Sequence, residues 1–339
     1  MEKKLVVSSS PFLYHEEVST RGIMLDVVIA LFPTALAACW FFGAKAALLM
    51  ALAVASAVFA EWLYQRMTHQ KSTLSDLSAV VTGLLLAFNI PSNAPWWIAV
   101  VGSFLAIILV KQIFGGLGQN FMNPALAART ILMLSWAGLM AATAAPNGGA
   151  LLGLGSGAVD TVASATPLAD GAPAYSLMNL FIGNVPGMLG ETCKFTLLLG
   201  GAYLLVRGVI DWRVPVSFLG TALVLFWVQT GSFYSVESGS QNALYQLLSG
   251  GLILGAFFMA TDYVTCPITK WGKVIMGVGC AALLFVIRAF NTSYPEGCSF
   301  AILFMNVLTP LIDKMTMRKT FGALPKAKPE HSKQREVSA

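Results

Sequence analysis

Apolar residues gather into ten runs along the chain, at about 23–42, 46–64, 74–90, 96–112, 124–142, 195–209, 214–231, 244–262, 272–290 and 297–313. A helix satisfies its own backbone hydrogen bonds in lipid, and most of the runs approach the roughly 20 residues that cross a bilayer. The third and sixth are short for a full crossing. The pattern predicts an all-α polytopic membrane protein with about ten transmembrane helices. One connection is long: Thr143–Lys194 is rich in Gly, Ala, Pro and Ser, and a loop of that length is usually functional or disordered. Met1–Thr20 is largely polar, and the run after it is too long for a signal peptide. From Pro325 the chain reads as a solvated tail. The expected division is an arm at 1–22, a first transmembrane unit at 23–142, the loop 143–194, a second unit at 195–313 and a tail at 314–339.

The two units resemble each other. Asp76–Trp97 and Leu247–Trp271 each hold an apolar run with a Gly inside it, then a polar break, a Pro and a Trp. A further helix and a Gly-containing break follow each, at 115–124 and 291–300. Five spans per half is an odd number, so the second half enters from the opposite side. This predicts two inverted five-helix repeats with broken helices, and a ligand site where the breaks meet.

Composition narrows the class. Hydrophobic residues make up 56% of the 339 and charged residues 11%, against roughly 25% charged in a soluble domain. That excludes a soluble globular enzyme, a disordered protein and a nucleic-acid binder. The net charge of +5 makes no nucleic-acid surface, because the basic residues stand in short clusters between apolar runs. With the N-terminus inside, only Lys45, Lys194 and Arg288 of the 21 Lys and Arg fall outside, the bias expected of cytoplasmic loops. Both termini are therefore placed in the cytoplasm and the 143–194 loop on the outer face.

Little conventional chemistry is visible. The five cysteines form no C-x-x-C pair and read as packing residues. His15, His69 and His331 are scattered, and no metal site is predicted. Gly153–Ala158 fits G-x-G-x-x-A but lacks the flanking strand and helix of a dinucleotide loop. Asp26 lies a few residues into the first run, where an acid needs a partner or water. It is either a candidate ion path or the partner of a nearby Lys or Arg. Arg129 is expected to cap a break or pair with an acid.

The stretch Asp160-Thr161-Val162-Ala163-Ser164-Ala165-Thr166 is, on residue chemistry alone, an exposed turn of small residues. It resembles the acid–x–x–Ser/Thr–Gly–Ala–Thr signal of covalently flavinylated membrane redox subunits. Asp160, Ala165 and Thr166 match; Ala163 replaces the usual hydroxyl residue, and Ser164 stands where Gly is common. The pieces Trp40–Gly43, Thr82–Leu86, Ala94–Trp97, Lys111–Pro124, Gly255–Phe258, Thr261-Asp262, Tyr294–Gly297 and Pro310–Asp313 extend the likeness in order. Together they are similar to the family that holds the D subunit of the bacterial Rnf complex and the B subunit of the sodium-pumping NADH:quinone reductase. The short N-terminal arm favours the Rnf branch.

The resemblance implies that a flavin transferase joins FMN to Thr166 through a phosphoester. An unassisted Thr hydroxyl is a poor nucleophile, so an external enzyme suits the site. It also implies a non-covalent riboflavin at Asn120 and Asn123, with Asp262 as a further candidate. Read from the residues, the glycines at 115–118 let backbone approach a flat ligand, and Asn both donates and accepts. The same stretch reads equally as a helix break capped before Pro124. The family implies an ion-translocating ferredoxin:NAD oxidoreductase in a bacterial inner membrane, moving Na⁺ or H⁺. Its partners would be iron–sulfur, flavin and other membrane subunits, the flavin transferase and the bilayer, with no nucleic acid. The fold alone suits a secondary transporter or channel equally well. The sequence also leaves open the quinone reductase's own B subunit and a purely structural anchor.

Overall fold

A computed structural model of the chain describes residues 19–146, 167–168, 175–234, 242–290 and 296–317. The first unit contains α1 (Thr20–Phe42), α2 (Ala44–Met67), α3 (Ser78–Phe88) and α4 (Trp96–Phe104), which continues as a π-helix over Leu105–Gln112. It ends with α5 (Pro124–Ser135) and α6 (Ala137–Ala141). After the short α7 (Leu177–Ile182), the second unit contains α8 (Lys194–Val206), α9 (Arg213–Thr230), α10 (Ala243–Leu248) and α11 (Leu252–Leu254). The π-helix Gly255–Met259 extends α11, and α12 (Lys270–Phe290) and α13 (Cys298–Thr316) complete the unit.

Five helices, α1, α2, α9, α12 and α13, are long and apolar enough to cross a membrane; α3, α4 with its extension, α5 and α8 are shorter apolar helices. Their outward faces carry exposed Phe32, Val206, Val228, Trp271 and Phe290. Such a continuous apolar exterior belongs in lipid, and the chain is an all-α multi-pass membrane protein.

The packing repeats between the halves. In the first, α2 holds α3 and α4; in the second, α9 holds α10 and α12. The units join through like elements, α1 against α8 and α5 against α13. The broken spans meet between them. α3 ends at Phe88, and Asn89 directs its amide to Met259, the last residue of the second π-helix, with Nδ2 3.9 Å from Sδ. The connection before α8 threads into the same region: Leu189 N donates to Ile90 O at 3.2 Å and Gly190 N to Phe88 O at 3.0 Å. That pairs Met188 with Pro91 in a single antiparallel bridge.

Two runs differ from continuous spans. The run 244–262 is interrupted at Ser249–Gly251, where Gly250 takes φ +67°, leaving three carbonyls near the end of α10 to find partners elsewhere. The run 124–142 breaks at Trp136, which leaves helical geometry at φ −133°. α1 starts at Ser19, whose hydroxyl accepts from Gly22 N at 3.1 Å.

Candidate functional site

Two polar assemblies lie near opposite ends of α8. One is reached from Leu204 and the other from Lys194, ten residues or about 15 Å apart along the helix.

The first is an open cleft of about 90 Å³ between the halves. Its walls are apolar, with Leu85, Leu117, Leu204, Phe257 and Phe258; its polar groups include Ser78, Lys111, Asn120, Asn123 and Asp262. The structure thus brings the three residues named for riboflavin into one cavity. The loop over it turns through Gly115, Gly116 and Gly118, all at positive φ, a conformation that favours glycine. Asn123 is largely committed to structure. Its Oδ1 caps α5 by accepting from Ala125 N (3.0 Å) and Leu126 N (3.3 Å), and its Nδ2 donates to Met259 O at 3.3 Å. Asn120 donates to Met122 O at 3.1 Å and lies against Asp262. Asp262 accepts from Thr265 Oγ1 at 3.3 Å. Asp262 also accepts from Asn120 and from the Tyr263 and Val264 amides, so its acceptor sites are largely used and Asn120 is the better placed of the two to meet a ligand edge.

Behind the cleft is a closed network. The π-helical stretch carries Lys111 inward, where Nζ meets both Glu61 oxygens at 3.2 and 3.1 Å and Ser78 Oγ at 2.5 Å. Gln65, Gln112 and Thr73 also donate to Glu61 Oε1, at 3.2, 2.9 and 3.0 Å. The charge of Lys111 is thus neutralised before it reaches the cavity. Glu61 and Lys111 form an ion pair with side chains only 1% and 2% exposed.

The second assembly gathers around the break at Gly250–Gly251. Arg129, in mid-α5, hydrogen-bonds Asn89 Oδ1 at 2.8 Å and Ser299 Oγ at 3.0 Å and is ion-paired to Glu296. Arg288 of α12 donates to Gln246 O (2.6 Å) and Ser249 O (3.1 Å), and Lys194 of α8 to Gly250 O (2.9 Å) and Glu191 O. These two cations cap the carbonyls that the interrupted helix leaves open. Glu191, 2% exposed, completes the group, its Oε1 3.9 Å from Arg129.

Pro167 and Leu168 sit on this assembly. Pro167 O lies 3.5 Å from Tyr245 Oη, and Leu168 Cδ1 lies 2.9 Å from where a Cβ on Gly250 would stand. Pro167, Glu191, Lys194, Gly250 and Glu296 line a second, much smaller cavity of about 10 Å³. Asp160, Ser164, Ala165 and Thr166 lie outside the described residues, but Thr166 is bonded directly to Pro167. Asp26 is paired: it accepts from Tyr203 Oη at 2.9 Å and Arg207 Nη2 at 3.2 Å. Of the two roles expected of Arg129, the structure shows the pairing with an acid; its other hydrogen bonds go to the side chains of Asn89 and Ser299. Among the described residues no group of His, Cys, Asp or Glu is placed to hold a metal, and all five cysteines are free.

Glu191 and Glu296 escaped the reading of the sequence, because acids in connections pass for solvated residues. A signal for them was present: Lys194 and Arg288 are two of the three basic residues that break the inside bias, and both are held in this assembly.

A sequence profile of the NQR2, RnfD, RnfE family matches residues 6–322. The chain is 45% identical to the D subunit of the Na⁺-translocating ferredoxin:NAD⁺ oxidoreductase complex of Acetobacterium woodii, over 95% of this chain and 96% of that protein. It is 37% identical to the D subunit of the proton-translocating ferredoxin:NAD⁺ oxidoreductase complex of Clostridium ljungdahlii, over 93% and 96%. It is 39% identical to the D subunit of the ion-translocating oxidoreductase complex of Stutzerimonas stutzeri, over 92% and 94%. With a profile match across nearly the whole length and relatives of this identity aligned end to end, the chain belongs to the NQR2, RnfD, RnfE family.

Proposed function

We propose that this chain is the membrane-embedded electron-carrying subunit of an ion-translocating ferredoxin:NAD oxidoreductase complex, with FMN joined to Thr166 by a phosphoester and riboflavin held in the cleft of Asn120 and Asp262. When bound, the flavins supply the electron-carrying chemistry. The chain supplies position and electrostatics. Its termini face the cytoplasm and the 143–194 loop faces the periplasm of a bacterial inner membrane. Other Rnf subunits deliver and remove electrons, and a flavin transferase modifies Thr166.

The observation that carries this reading is the seating of Pro167–Leu168 on a buried charged assembly, one helix length from an apolar cleft with amide and carboxylate groups at its rim. A hydrocarbon core about 30 Å thick is too wide for one efficient electron hop, and two sites spaced along α8 divide it. The cleft fits a flat heteroaromatic ring: its walls are apolar, Lys111 is already neutralised, and Asn120, beside Asp262, offers a donor–acceptor edge. The other site fits an anionic tether, since three cations there face two carboxylates.

The test is Thr166→Val, expressed with a flavin transferase. The wild-type chain should give a fluorescent band after denaturing electrophoresis, and its loop peptide should carry FMN less one water. Both signals should vanish in the variant. A dark wild-type band would favour the transporter reading of the fold, and full electron transfer by an unlabelled variant would favour a structural anchor.

A further inference from the structure

Of the charged groups around Gly250–Gly251, Glu191 is the one whose carboxylate receives no hydrogen bond from the described residues. Arg129 directs Nη1 and Nη2 to Asn89, Ser299 and Glu296, and its Nε has no partner among the described residues. Lys194 turns its ammonium to the carbonyls of Glu191 and Gly250, and Arg288 turns its guanidinium to those of Gln246 and Ser249. Neither carboxylate oxygen of Glu191 has a hydrogen-bond donor among the described residues, and the neighbouring Thr192 hydroxyl is likewise unpartnered there. The nearest cationic nitrogen, on Arg129, stands at 3.9 Å, beyond a normal hydrogen bond. A buried ionised carboxylate without donors is very costly, and such a group takes up a proton instead.

The surroundings allow that proton to be held and exchanged. Glu296 adjoins Glu191, and two carboxyls at close quarters do not both ionise freely. Burial and the Glu296 charge push the Glu191 carboxyl well above its ordinary range, against the pull of Arg129 and Lys194. Gly251 makes room: a Cβ there would stand 2.8 Å from Glu191 Oε2. The Glu191 side chain is 3% exposed and that of Glu296 12%, so Glu296 is the more open of the two. Both line the small polar cavity beneath Pro167, about 10 Å³ or the space of a single water.

We propose that Glu191 is a proton-binding site, occupied at neutral pH, which exchanges through Glu296 and whose occupancy follows the charge on the redox centre tethered beside Pro167. The redox-linked part rests on the assignment of that centre to Thr166; the proton site itself does not. One electron arriving from the complex's one-electron donor places a negative charge near the assembly and favours protonation. An O–H bond then forms at any Glu191 carboxylate still ionised, with a proton from solvent by way of Glu296. When the electron leaves, the bond breaks and the proton returns by the same route. The groups that face Glu191 and set its occupancy are Arg129 on α5, Glu296 ahead of α13, Lys194 on α8 and the Gly250–Gly251 backbone, with Arg288 on α12 behind them.

Infrared spectroscopy of the purified complex containing this chain tests the proposal. At neutral pH, wild type minus Glu191→Gln should show a carboxylic acid C=O band that shifts in D₂O. Reduced-minus-oxidised spectra of wild type, taken at an alkaline pH where part of that band is lost, should show it gaining intensity, and Glu191→Gln should lose that signal. If wild type and Glu191→Gln have identical C=O regions, the proton site is refuted. If a Na⁺-dependent carboxylate band appears in its place, the site binds a cation and the proposal also fails. Should Glu191→Gln not assemble, Glu191→Asp serves, since it should move the band rather than remove it. In-gel flavin fluorescence on the same samples separates the two readings. A dark wild-type gel refutes the flavin at Thr166, while the static difference spectrum still decides Glu191.

Discussion

The two buried charge assemblies are built to opposite standards. In the first half Glu61 receives four donor groups, from Lys111, Gln112, Gln65 and Thr73. In the second, Glu191 receives none from the described residues, and the Nε atoms of Arg129 and Arg288 are also unpartnered there. Yet Lys111 and Arg288 lie near the ends of corresponding spans, and each reaches back to the third span of its half, Lys111 to Ser78 and Arg288 to Gln246 and Ser249. The inverted repeat thus places one cation twice and gives it a buried acid partner only in the first half. In the second, the cation braces carbonyls opened by the Gly250–Gly251 break, and the nearby acid is left over. A complete network fixes packing; an incomplete one in a protein interior calls for an explanation, and the incomplete one here lies under Pro167.

The strongest way to break this comparison is to remove one acid from each assembly. Glu61→Gln strands the Lys111 ammonium in the interior and should cost about 3–5 kcal/mol, seen as a large drop in the thermal unfolding temperature of the detergent-solubilised complex. Adding Lys111→Met should recover most of the loss, because the uncompensated charge goes with it. Glu191→Gln removes no hydrogen bond found among the described residues and should change stability by less than about 1 kcal/mol. Equal losses from Glu61→Gln and Glu191→Gln would abolish the distinction drawn between the two assemblies.

Much of the fold was legible because lipid leaves the chain few options. The ten runs, the long connection and the matching breaks follow from hydropathy and from Gly and Pro placement, and the all-α multi-pass architecture follows from the runs. The breaks themselves were harder to place. Whether 244–262 is one helix or two depends on Gly250 taking a positive φ, which an apolar run does not announce. The cleft was half legible: Asn120, Asn123 and Asp262 do converge, but whether Asn123 caps α5 or faces a ligand is a question of side-chain direction that only coordinates answer. Glu191 was invisible because its importance comes from donors that are missing among the described residues, and a sequence does not show which donors other groups have taken.

The cleft offers a sharper, smaller test. Asn120→Ala removes a carboxamide with capacity to spare, and the loss of one hydrogen bond, about 1.4 kcal/mol, corresponds to about tenfold weaker binding. Riboflavin released by acid from the purified complex should fall accordingly at limiting flavin, and Asp262→Asn should act in the same direction. Thr82→Val serves as a control, since that hydroxyl is occupied by Ser78 O at 2.9 Å. A riboflavin content unchanged by both Asn120→Ala and Asp262→Asn would remove these residues from the site.

The smallest effect belongs to an ion pair at the surface, which calibrates the buried ones. Asp211, between α8 and α9, accepts from Arg213 Nη1 at 2.9 Å and from Lys273 Nζ at 3.0 Å, tying that connection to α12. Partial burial works to raise its carboxyl, but the Arg213 amide and the Lys273 ammonium override it and hold the group below its ordinary value. A depressed carboxylate stabilises the fold fully above its unfolded value, near pH 4 for aspartate, and the contribution is lost as pH falls through the lower folded value. With side chains 21 to 26% exposed and the pair screened by water and salt, the contribution should not exceed about 1 kcal/mol. Asp211→Asn should therefore lower the unfolding temperature slightly at neutral pH, and less in high salt, with the gap to wild type closing under acid. Glu61→Gln, in an assembly closed to solvent, should keep its large deficit in high salt. If the two deficits respond alike to salt, burial is not what distinguishes these carboxylates.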